Sequence, residues 1–117
     1  MGDSVVSRKS YLFAIRVVNL YKYLTSEYKE YVLSKQVLRS GTAIGALIRE
    51  AKFAQSKADF ISKMSIALKE ANETNYWIDL LHDTEYINQK MYKDMEKDIN
   101  EIISLLVSIV KSSKNNS

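Results

Sequence analysis

The residues of this chain that could do chemistry are few and scattered. Its single histidine, His82, closes the run Asp79-Leu-Leu-His82, and a carboxylate and an imidazole three residues apart share one helix face. Bundle proteins build di-metal centres from that kind of pair, but such a centre needs Glu from two helices and Glu-x-x-His from two more. The chain has one histidine and no Glu-x-x-His. At a helix end, a lone His82 reads as a capping or surface group. No other histidine base and no strained serine turn is present for acyl transfer, and the absence of cysteine removes thiolate ligands, thiol nucleophiles and disulfides. No catalytic, metal or cofactor-binding residue is expected, and no enzyme.

Two of the three glycines, Gly41 and Gly45, stand four apart in RSGTAIGALIREA (39–51). A glycine inside a helix costs about 1 kcal/mol relative to alanine, so each needs a reason. A phosphate loop would require Gly-Lys-Ser/Thr after a strand, and neither is found. At 100° per residue the pair flanks the apolar stripe of its helix, which predicts a packing notch filled by a neighbouring helix or a neighbouring subunit.

Cations offer the remaining chemistry. Residues 1–63 carry 11 Lys/Arg against 5 Asp/Glu (net +6), and residues 64–117 carry 6 against 9 (net −3). Lys35, Arg39 and Arg49 fall within an arc of about 80° on one helix, with Lys52 to one side. Lys35, Arg49 and Lys52 together with Arg8, Lys9 and Arg16 form a candidate surface for RNA or DNA phosphates, read without sequence preference, while Arg39 is expected to be structural. Antiparallel helices also use such residues against acidic neighbours. Tyr11, Tyr21, Tyr23, Tyr28 and Tyr31 offer stacking surfaces for bases or edges for a core.

These residues must be positioned by helices. The chain contains no proline, and its apolar residues repeat at steps of three and four. Phe13, Val17, Leu20 and Leu24 form the first stripe, and Leu33, Val37, Ile44, Ile48 and Ala51 the second. Phe60, Met64, Ala67, Ala71, Thr74, Ile78 and Leu81 form the third; Met91, Met95, Ile99, Ile102, Leu106 and Ile109 form the fourth. Ser56 with Asp59 three residues on marks a helix start. The expectation is an all-α, left-handed, up-down four-helix bundle forming a single domain. Its boundaries are a flexible 1–6, helices at about 7–26, 30–54, 57–82 and 88–111 within a bundle of 7–111, and a frayed tail of 112–117. The longest apolar run, 102–110, is interrupted by two serines and falls far short of the roughly 20 residues of a membrane span. With no signal-type leader in its first residues, the chain is expected in the cytoplasm.

If the second and third helices turn near Gln55-Ser56, residues whose numbers sum to about 111 lie level. Arg39 then faces Glu70 and Glu73, and Glu50 faces Lys63, as candidate ion pairs that fix register. Apolar residues remain after each stripe is filled: Ile66 and Trp77 on the third helix, and Ile103, Leu105, Val107 and Val110 on the fourth. These imply a second buried surface. Gly41, Gly45, Ile66, Trp77, Ile103 and Val107 are the candidates for helix packing or a subunit interface.

The run QVLRSGTAIGALIREAKFAQSKADFISKMSIALKEANETNYWIDLL (36–81) resembles the bacterial 23S rRNA intervening-sequence proteins, the S23 or four-helix-bundle family. The landmarks are Arg39-Ser40, Ile44-Gly45, Glu50-Ala51, Ser56, Asp59-Phe60, Lys69-Glu70-Ala71, Glu73 and Trp77. The resemblance implies a bundle that assembles as a ring-shaped homopentamer. It also links the chain to an accessory protein of diversity-generating retroelements, which binds nucleic acid and a reverse transcriptase. Leu47 and Ala43 stand where the family often carries Asn and Ser, so no polar role is implied at those positions. The expected function is a non-enzymatic oligomer that binds RNA or DNA non-specifically; the alternative is a protein-interaction scaffold without nucleic-acid activity.

Overall fold

A computed structural model describes residues 4–116. Four helices follow one another, α1 (Val5–Tyr28), α2 (Leu33–Ala51), α3 (Lys57–Asp83) and α4 (Gln89–Asn115), and no strand occurs among the described residues. A 27-residue helix is about 40 Å long, so the extents of 47 × 23 × 20 Å lay the helices along one axis. Each packs against its neighbours in sequence, and α4 returns to α1 to close a four-helix bundle, most thinly at that last seam.

Local chemistry sets each boundary. The Ser4 hydroxyl accepts from the Ser7 N–H at 3.1 Å, and α1 ends where Lys29 takes a left-handed conformation (φ 54°). The flexible 1–6 segment is therefore corrected in part: Ser4 is a cap and Val5 and Val6 are helical, with Val6 buried, while residues 1–3 lie outside the described residues. At α2 the expected start at 30 moves to 33. Glu30 folds back as a cap, its carboxylate accepting from the N–H groups of Val32, Leu33 and Ser34 at 3.1, 2.9 and 2.7 Å. Three orphan donors of the first turn are satisfied by one side chain. The same helix ends at Ala51 rather than 54, because the following N–H groups switch to carbonyls three residues back, Lys52 to Arg49, Phe53 to Glu50 and Ala54 to Ala51.

Ser56 caps α3 by accepting from Asp59 N–H at 3.0 Å, and Asp59 in return accepts from Gln55 N–H at 3.1 Å. Asn88 caps α4 through Met91 N–H at 2.9 Å. The helix then runs to Asn115, so the frayed tail expected from 112 is mostly helical: no glycine or proline interrupts it, and Lys57 donates to the Asn116 carbonyl at 2.5 Å. Ser117 lies outside the described residues.

The core follows the four stripes. Phe13, Val17, Leu24, Val37, Ile44, Ile78, Leu81, Ile99 and Leu106 are fully enclosed. Leu33, Phe60, Met91 and Ile109 pack only at its margin, and Val110 turns inward instead of contributing to a surface. One polar contact crosses the core, between the Ser40 and Thr74 hydroxyls at 2.9 Å.

Candidate functional site

The six candidate phosphate-binding cations do not form one patch. Lys9 Nζ lies 2.8 Å from Glu101 Oε2, and Arg16 Nε 3.1 Å from Asp98 Oδ2, so both turn sideways onto the acidic edge of α4. The Lys9 ammonium holds the Glu101 carboxyl below the usual carboxylate range. Arg49 sits over the Tyr11 ring, 5.8 Å from its centroid, a cation–π contact. That contact sets the start of α1 beside the end of α2, so Arg8 and Arg49 share one end of the bundle. Lys35, fourteen residues before Arg49, is about 21 Å away along the helix. Arg8 and Lys35 are exposed and make no ion pair among the described residues. Lys52 is exposed at the α2–α3 corner.

Between α2 and α3 the pairs are tighter. Arg39 Nη1 lies 3.3 Å from Glu70 Oε1, and Nη2 also bonds Glu73, whose carboxylate accepts from Trp77 Nε1 at 3.1 Å. Lys63 reaches Asp59 at 3.2 Å and Glu50 at 3.9 Å. The Asp59 partner, one helical turn before Lys63, lies outside the expected pairs; its i,i+4 spacing is the sequence signal that marks it.

His82 and Asp79 part company. The imidazole stacks on Tyr92 at 4.0 Å between centroids, with Nε2 2.8 Å from Gln89 Oε1 and Nδ1 3.3 Å from Asp83 Oδ1. Asp79 instead receives the Tyr92 hydroxyl at 2.8 Å, with Glu96 2.9 Å from the same oxygen. Hydrogen bonding to these two carboxylates pushes the Tyr92 phenol well above its ordinary range. Among the described residues, no group of three His, Cys, Asp or Glu side chains is placed to hold a metal, and no helix is long and apolar enough to cross a membrane.

Gly41 is buried, and a Cβ there would lie 2.8 and 2.9 Å from the Val17 methyls, so α1 of the same chain fills this notch. Of the interface candidates, Ile66 and Val107 are exposed, whereas Trp77 and Ile103 are half-buried against the core. The larger apolar surplus lies elsewhere. On the outer face of α1, Tyr11, Leu12, Ile15 and Val18 are 57, 55, 45 and 36% exposed, while Phe13, Val17 and Leu20 of the same helix are buried. Phe53, at the α2–α3 corner, is 82% exposed. The α1 set carries the same sequence signal as Ile66 and Val107, apolar residues outside a core stripe; Phe53 lies past the end of a helix, where periodicity carries no signal.

Beside this face runs a groove of about 630 Å³ between α1 and α2. Ala14, Thr42, Gly45 and Ala46 line it, with Tyr11 and Phe53 as its large apolar side chains.

Two comparisons place the molecule among known proteins. The family model described as 23S rRNA-intervening sequence protein matches residues 2–108. A 1.70 Å crystal structure of a protein of unknown function from the S23 ribosomal protein family of Bacteroides thetaiotaomicron is similar at 62% identity and a TM-score of 0.90, covering 92% of this chain and 99% of that one. No curated protein matches.

Proposed function

The chain belongs to the 23S rRNA-intervening sequence protein family, and from that premise we propose a non-enzymatic cytoplasmic protein that acts by assembling with copies of itself. The supporting observation is α1, which has large apolar side chains on its outer face as well as its inner one. A helix apolar around most of its circumference is characteristic of a buried position, and a single bundle covers only one side of α1. Five is the copy number implied by the family resemblance. Light scattering at micromolar concentration is expected to give a multiple of the chain mass. Ile15→Arg, on the exposed face, is expected to lower that mass without loss of helicity. A monomeric wild-type protein would exclude this function.

Non-specific RNA or DNA binding is the second reading, favoured by Arg8 and Lys35, which point to solvent without an ion pair among the described residues. Assembly would multiply these charges. It ranks second because Lys9, Arg16 and Arg49 are engaged within the chain, which suits a protein-interaction scaffold. The test is retention of mixed RNA and DNA across a salt series. Binding through phosphates gives a log-log slope of about −0.9 per duplex contact, which Arg8→Ser with Lys35→Ser should flatten. No retention at low salt excludes it.

A further inference from the structure

We propose that the α1–α2 groove is the seat for the α1 outer ridge of a second copy of this chain, with Gly45 in the floor that the ridge contacts; this rests on the self-assembly proposed above. The two glycines of α2 have different reasons to be there. At Gly41 the fold forbids a side chain, because Val17 occupies the space. At Gly45 a Cβ would meet Ser10 Oγ at 3.4 Å and the Ser10 backbone at 3.5 and 3.6 Å, which are ordinary van der Waals distances. Neither Gly41 nor Gly45 has a positive φ. Neither backbone conformation nor packing within the chain therefore requires glycine at 45, where alanine would favour the helix by about 1 kcal/mol. A requirement from outside the chain accounts for it.

The groove indicates what that requirement is. Its floor of Ala14, Thr42, Gly45 and Ala46 is shallow and small, which suits the close approach of another helix. The same molecule carries the complement next to it: the ridge of Leu12, Ile15 and Val18 adjoins the groove through Tyr11. Tyr11, Leu12, Ile15, Val18 and Phe53 at their observed exposures amount to on the order of 500 Å² of mostly apolar surface. One side of a standard interface covers about 800 Å², somewhat over half of it apolar, or about 450 Å². When the ridge and the groove edge of one copy face the same partner, this supply matches one side of such a contact.

The experiment compares Gly45→Ala and Ala46→Arg with wild type by light scattering over a dilution series, with helicity measured by circular dichroism. Gly45→Ala, whose Cβ the folded chain accommodates, is expected to keep full helicity while its subunits dissociate at concentrations at least about tenfold higher, which is about 1.4 kcal/mol. Ala46→Arg, an exposed position, is expected to keep helicity and shift the protein to its smallest species. Wild-type masses in both variants, with Ile15→Arg still dissociating, would show that the ridge docks elsewhere and would overturn this inference alone. A monomeric wild type would overturn it together with the self-assembly reading. Capture of a different protein or small molecule in the groove, with assembly unaffected by either variant, would also overturn it.

Discussion

The two sides of α2 and the seam between α4 and α1 hold the same bundle together by different means. Around α2 the contacts are specific in shape and polarity: Val17 against Gly41, Ser40 against Thr74, Arg39 against Glu70. A one-residue slip would collide or leave buried polar groups unpaired. Across α4–α1, packing is thinner, and Lys9–Glu101 and Arg16–Asp98 bridge the gap through pairs in which both side chains are partly exposed. Exposed ion pairs add little stability and are screened by salt. Register is thus set beside α2, while the α4–α1 seam tolerates change.

The comparison is tested most severely by Gly41→Leu. Forcing a side chain into the Val17 methyls is expected to destabilise by about 3 kcal/mol, lowering the melting midpoint by about 10 °C or more; an unchanged midpoint would show that α1 and α2 are not closely packed there. Arg39→Ala comes next, at about 1–2 kcal/mol, because it leaves the buried Glu70 without its cation. The value is kept below that of a fully buried pair because the Arg39 side chain is half exposed. Urea titration of Arg39→Ala against Arg39→Lys separates charge from the geometry of the fork.

Glu30 gives a smaller effect that depends on pH. Burial pushes its carboxyl up, but the N–H groups of Leu33, Ser34 and Val32 together outweigh burial and hold it below the usual carboxylate range. A lowered folded-state value means that the stabilisation is present above the unfolded value, about 4.3, and is lost as pH falls through the folded one. Glu30→Gln is expected to cost about 1 kcal/mol at neutral pH and to remove that part of the acid sensitivity; equal losses at pH 7 and pH 3 would contradict the cap. The smallest effect belongs to the other seam. Lys9→Ala with Arg16→Ala should leave the midpoint nearly unchanged in 1 M salt, and a large loss there would erase the distinction between the two regions.

Several features were legible from residue types alone. Glu50, Lys63, Arg39, Glu70 and Glu73 fall level across one short turn because both helices rise by the same distance per residue, so adding residue numbers places them face to face. The cap at Ser56 depends on neighbours three residues away. Glu30 was harder to read: a carboxylate capping from three positions before the helix resembles a first-turn glutamate until the path of the backbone is known. Lys9 and Arg16 were harder still, since their partners are about 90 residues away on α4.

Sequence by itself determined that this chain is helical, where its four apolar stripes lie and that it has no cysteine and a single histidine. Those properties follow from period, composition and contacts within a few residues, which are the same in any tertiary arrangement. Only the tertiary structure decided which of two similar glycines the fold requires, which cations meet carboxylates, and that the large uncovered apolar face belongs to α1. Each of those depends on what stands across a gap from a given side chain, and two helix faces with the same periodicity differ only in whether another helix lies against them.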